Sequence, residues 1–70
     1  MLNKPEYPNL DAIMQEKKIT AFRLARMIGM DAHTMVKRLN GERQMKLDEA
    51  LLIKSAVKTD LPLEKLFERR

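Results

Sequence analysis

The sequence predicts an all-α fold of five short helices around one small core. Three observations carry that expectation. Apolar residues recur at helical spacing, most plainly Ala32, Met35, Val36 and Leu39, which stand at i, i+3, i+4 and i+7. No stretch alternates apolar and polar residues for long enough to make a strand. Helix start and stop residues punctuate the chain at Thr20, Gly29, Asp31, Asn40-Gly41 and the run from Thr59 to Pro62.

Taken in order, residues 1–8 contain Pro5 and Pro8 and read as an extended arm, with the Tyr7 ring laid on the edge of the domain. Asn9 is expected to cap helix 1, which runs from Leu10 to about Lys17 and turns Leu10, Ile13 and Met14 inward. Lys17 and Lys18 suit the negative end of that helix. Helix 2 lies between Thr20 and Gly29, with Phe22, Leu24, Ala25 and Ile28 as its apolar or small residues. Helix 3 starts after Asp31 and closes at Asn40-Gly41, where glycine permits the positive φ that ends a helix.

A loop from Glu42 to Lys46 follows, anchored by Met45. Helix 4 runs from about Leu47 to Val57, with Asp48 and Glu49 in its first turn, where carboxylates favour the dipole. Its apolar surface comprises Leu47, Ala50, Leu51, Ile53, Ala56 and Val57. Thr59, Asp60 and Pro62 announce a last short helix built on Leu63, Leu66 and Phe67. The domain therefore spans 9–67, between the 1–8 arm and a frayed 68–70. Met14, Met27, Met30, Met35 and Met45 fall at or beside core positions, where methionine fills irregular gaps.

The stretch from Thr20 to Gly41 organises the rest. Thr20 and Asp31 each bring a side-chain oxygen to a helix start. Each is preceded by an apolar residue with another five positions on, Ile19 with Leu24 and Met30 with Met35. That is the hydrophobic-staple arrangement, used twice in succession. Small Ala25, four residues before Gly29, allows a second helix to cross closely. Two helices joined by a three- or four-residue turn containing glycine form a helix-turn-helix, whose second helix enters the DNA major groove. The same spacing also fits an αα-corner with no DNA role.

Charge sharpens the choice. Residues 1–16 carry a net −2, residues 47–70 balance, and residues 17–46 hold eight cations against two anions. The whole excess of the +4 chain thus sits on the segment with the motif, as a polyanion partner requires. There is no cysteine and a single histidine, so neither a disulfide framework nor a metal site is expected. Two glycines allow no phosphate-cradling loop, and Ser55 and His33 lie on different helices without an acid partner, so an enzyme is disfavoured. Seventy residues support one domain and one modest core. The apolar run Ala50 to Ile53 is far too short for a membrane span, and MLNKPEYPN lacks the apolar region of a secretory signal. A cytoplasmic protein without membrane, cofactor or small-molecule ligand is expected.

The stretch from about Asn9 to Phe67 resembles the Cro and phage-repressor helix-turn-helix family, also called the XRE family. Ala25, Gly29, Met35 and the Asn40-Gly41 exit carry the likeness, with LDEALLIKSAV and TDLPLEKLF resembling the family's helices 4 and 5. The resemblance implies a five-helix lambda-repressor-like DNA-binding domain. It matches Ala32, His33 and Lys37 to base-reading positions. Lys37 can donate to the guanine O6/N7 edge, the Ala32 methyl can meet a thymine methyl, and His33 donates or accepts according to tautomer. Thr20, Thr34, Arg38, Asn40 and Arg43 are the expected backbone contacts, Thr20 through free N–H groups at a helix start and Asn40 beside its part in closing helix 3. Two departures stand out. Ala21 replaces a glutamine that in many members braces the DNA backbone, and Arg38 stands where an apolar residue is common, with Leu39 one step later.

The expected function is a sequence-specific transcriptional regulator that represses as a homodimer on a palindromic double-stranded operator. The dimer surface would lie around Leu52, Leu61, Leu63 and Leu66. The competing class is a protein-interaction module, antitoxin-like or accessory, using the same fold, since fold does not fix function.

Overall fold

The computed structural model describes residues 5–69, which form α1 (Pro8–Glu16), α2 (Ala21–Ile28), α3 (Ala32–Leu39), α4 (Leu47–Val57) and α5 (Leu63–Leu66). No strand occurs among the described residues. α4 begins and ends where its apolar pattern does. Half a capping box opens it, the Glu49 carboxylate accepting the Lys46 N–H at 3.1 Å.

The chain start differs from expectation. Pro8 is the first residue of α1, where its fixed φ and missing N–H cost nothing. Asn9 is therefore not the cap. Its amide Nδ2 donates instead to the Lys65 carbonyl at 2.7 Å and ties α1 to α5. Tyr7 is only 5% exposed and meets Phe67 edge-on, ring centroids 5.3 Å apart. The Glu6 N–H donates to the Leu39 carbonyl at 2.9 Å. Residues 5–8 thus belong to the folded body, while 1–4 lie outside the described residues. At the other end Arg69 pairs with Glu6, Nε to Oε2 at 3.2 Å, and Arg70 is outside the described part. The Tyr7 hydroxyl and then the Glu6 carboxylate beside it hold the Arg69 guanidinium above its ordinary pKa.

Leu10, Leu24, Met35, Ile53, Val57 and Leu66 form the centre of the core. Leu66 is fully enclosed and so is unavailable to a dimer surface, whereas Leu52 and Leu61 are exposed. Phe22, counted among the apolar residues of helix 2, and Met27, placed at or beside the core, are 49% and 48% exposed. The buried stripe of α2 starts one residue earlier, with Ala21, Leu24 and Ala25 buried and Ile28 packed against them. Phe22 and Met27 lie on the two flanks of that stripe, and Arg23 and Arg26 stand opposite it.

Lys17 also has an internal task. Its ammonium donates to the Val57 and Lys58 carbonyls at 2.6 and 2.8 Å, closing the C-terminus of α4. Lys18 and Lys58 adopt left-handed backbone, with φ of 58° and 54°.

Candidate nucleic-acid interface

The unit formed by α2 and α3 is fixed at every end. Thr20 Oγ1 accepts the Arg23 N–H at 3.1 Å, and an Asp31 oxygen accepts the Thr34 N–H at 3.1 Å. Both expected caps are therefore made. Ile19 and Met30, the residues before them, pack against the core that contains Leu24 and Met35. Gly29 takes φ +74°, and the Met30 N–H returns to the Ala25 carbonyl at 2.8 Å. A turn this tight needs a left-handed residue, which glycine supplies without strain.

The exit of α3 is closed by the chain itself. Asn40 N–H bonds the Val36 carbonyl at 3.0 Å, Gly41 N–H that of Arg38 at 3.2 Å, and Glu42 N–H that of Lys37 at 2.9 Å. Gly41 sits at φ +80°, which completes a Schellman motif. The last carbonyl, that of Leu39, receives the Glu6 N–H. All four carbonyls that a helix end normally leaves open are thus satisfied within the chain.

On this frame Met35 and Leu39 are buried, and Ala32 and Val36 are half-buried against the core. His33 and Lys37, at i and i+4, are exposed together on the outward face. Thr34 is half-buried, its hydroxyl 3.4 Å from Asp31 Oδ2, so its hydrogen-bonding capacity is partly used in the cap. Thr20 and Arg43 are exposed at either end of the motif. With Thr20 serving Arg23, the N–H groups of Ala21 and Phe22 have no acceptor within the helix. The Ala21 side chain is fully buried and contributes only volume.

Arg38 was expected to face the DNA backbone and instead turns inward. Its Nε lies 3.3 Å from Glu49 Oε1, too poorly aligned for a hydrogen bond, and the guanidinium donates to the Gln44 carbonyl. The side chains of this ion pair are only 13% and 16% exposed. Asn40 is half-buried, with a buried Oδ1 that has no partner among the described residues. Of the eight cations between residues 17 and 46, Lys17 and Arg38 are thus engaged internally. Lys18, Arg23, Arg26, Lys37, Arg43 and Lys46 remain exposed. Sequence reasoning could not find the Arg38–Glu49 pair, because the two residues lie on different helices with no spacing rule between them.

No group of three His, Asp or Glu side chains among the described residues could hold a metal. No helix there is long and apolar enough to cross a membrane. Against known families, the model of the Cro/C1-type HTH DNA-binding domain matches residues 9–60. The chain belongs to the Cro/C1-type helix-turn-helix family. No curated protein and no solved structure matches it. The Cro/C1-type match runs from the second residue of α1 past the end of α4, and so takes in both helices of the motif, the Arg38–Glu49 brace and the Asn40-Gly41 exit of α3. It identifies a DNA-binding domain of a regulatory family, with double-stranded DNA as partner.

Proposed function

We propose that this Cro/C1-type domain is a sequence-specific regulator that reads base edges with α3 and represses by occupying an inverted-repeat operator as a homodimer. The observation that carries this is the state of α3: His33 and Lys37 stand exposed on one face of a helix whose opposite face and both ends are fixed. Lys37 donates to a guanine edge, His33 reads a neighbouring base, and the Ala32 methyl meets a thymine methyl. Thr20, through the open N–H groups at the start of α2, and Arg43 hold phosphates, with Thr34 and Asn40 as shorter-range contacts. Arg38, bound to Glu49 and Gln44, serves binding by steadying the 42–46 loop that carries Arg43.

One such domain spans few base pairs, so specificity calls for two copies, their α3 helices about 34 Å apart along one turn of DNA. Leu52 and Leu61 are the exposed leucines of the expected dimer surface, and Leu51 beside Leu52 extends it. Three phosphate contacts per half-site would give a log–log salt slope of roughly −5.

Selection from random duplex DNA at moderate salt, run on the native chain and on Lys37→Ala, tests this directly. A two-fold symmetric motif that Lys37→Ala blurs is expected. Binding without an enriched motif would reduce the protein to an electrostatic DNA binder, and an absence of binding would remove the regulator altogether.

A further inference from the structure

The outer face of α2 is unlike the rest of the surface. Arg23 and Arg26 stand opposite the buried stripe of Ala21, Leu24 and Ala25, with Phe22 and Met27 on either flank of the arginines, and all four are exposed. α2 contains no acidic residue. Among the described residues neither guanidinium has an ion-pair partner, the pairs there being Arg38–Glu49 and Arg69–Glu6. A shallow recess of about 460 Å³ is lined by Arg23, Arg26 and Met27.

We propose that this face docks an acidic protein segment bearing an apolar anchor residue. Charge complementarity selects the partner's sign. Two unpaired guanidiniums on adjacent turns present planar donor forks suited to carboxylates. The apolar pair selects its class. A phosphate backbone would satisfy the arginines but offers only sugar C–H groups to a phenyl ring and a thioether, whereas a protein segment offers both a carboxylate and a full apolar side chain. Phenylalanine, methionine and arginine are also the residue types that concentrate at protein interfaces. Four residues make a small contact, so binding is expected to be weak and transient. The proposal does not depend on α3 reading DNA.

The test pans a displayed library of random 16-residue peptides against the full chain, with counter-selection on a Phe22→Ser/Met27→Ser variant. Both residues are half exposed, so this variant is expected to keep its far-UV circular dichroism and melting temperature. If it does not, Arg23→Glu/Arg26→Glu takes its place. Enriched peptides should combine Asp or Glu with Leu, Phe or Trp and lose at least tenfold in affinity for either variant. Met27→Ser alone, at a residue outside the proposed phosphate contacts, should leave affinity for duplex DNA unchanged. Enrichment without acidic residues, equal binding to the variants, or no enrichment at all would overturn the proposal. A tenfold loss of DNA affinity in Met27→Ser would assign the face to DNA instead. Loss of DNA binding by Lys37→Ala with peptide capture intact would leave the two functions separate, as proposed.

Discussion

The two glycines of the motif are expected to respond very differently to the same added methyl group. Both lie in the left-handed region, Gly29 at φ +74° and Gly41 at φ +80°, so alanine at either meets backbone strain of about 1–2 kcal/mol, partly offset by a stiffer unfolded chain. At Gly29 a Cβ would find nothing within 4 Å. Gly29→Ala should therefore cost about 1 kcal/mol, a drop in Tm of about 5 °C in a domain of this size. At Gly41 the new Cβ would lie 2.9 Å from Glu6 Oε1, 3.0 Å from its Cδ and 3.2 Å from its Cβ. The carboxylate can swing away only by leaving Arg69, and the Glu6 Cβ is held by the backbone bond to Leu39. Overpacking of this kind adds about 1–2 kcal/mol, so Gly41→Ala should lower Tm by about 10–15 °C. Thermal and urea unfolding followed by circular dichroism measure both. In a Glu6→Ala background most of the excess at Gly41 should disappear, a coupling of about 1 kcal/mol in a double-mutant cycle. Equal losses at the two glycines, or a coupling of zero, would refute the packing account.

Glu49→Ala removes both the partner of Arg38 and the acceptor for the Lys46 N–H; urea unfolding should show a loss of about 2 kcal/mol, and Glu49→Gln, which keeps the acceptor, about half of that. Lys17→Met frees the Val57 and Lys58 carbonyls at the end of α4 and should cost about 1 kcal/mol, while the salt slope of DNA binding stays that of the native chain because this ammonium is already engaged. Lys58→Gly relieves a left-handed residue at the same helix end and should raise stability by about 0.5 kcal/mol, read as a small rise in the urea midpoint.

What could be read from the sequence was local. Thr20, Gly29, Asp31 and Gly41 announce their roles within four residues of the bonds they make, so both caps, both exits and the bounds of α4 follow from neighbours in the chain. Phe22 was misplaced for a physical reason. The buried stripe begins at Ala21, which the sequence presents as a missing DNA-backbone brace and not as core, so the start of the stripe falls one residue late. Tyr7, Asn9, Lys17 and Arg38 were hidden for another reason. Each finds its partner, Phe67, Lys65, Val57 or Glu49, on an element that spacing within one helix cannot bring near. The exposure of Lys37 and His33 was legible because helical period alone places them opposite Met35 and Leu39. Arg38 was not, since its orientation depends on a carboxylate on the next helix.

The way α3 is held also bears on how such a domain can diversify. Its ends are secured by main-chain bonds and by capping from Asp31, and its grip on the body runs through Met35 and Leu39. None of this calls on the side chains at 33 and 37. Those two positions can be exchanged, by drift or by design, with little penalty to the scaffold. If α3 reads DNA as proposed, a lineage of these chains could part ways in what it recognises while sharing one frame, mutation by mutation, without passing through unfolded intermediates.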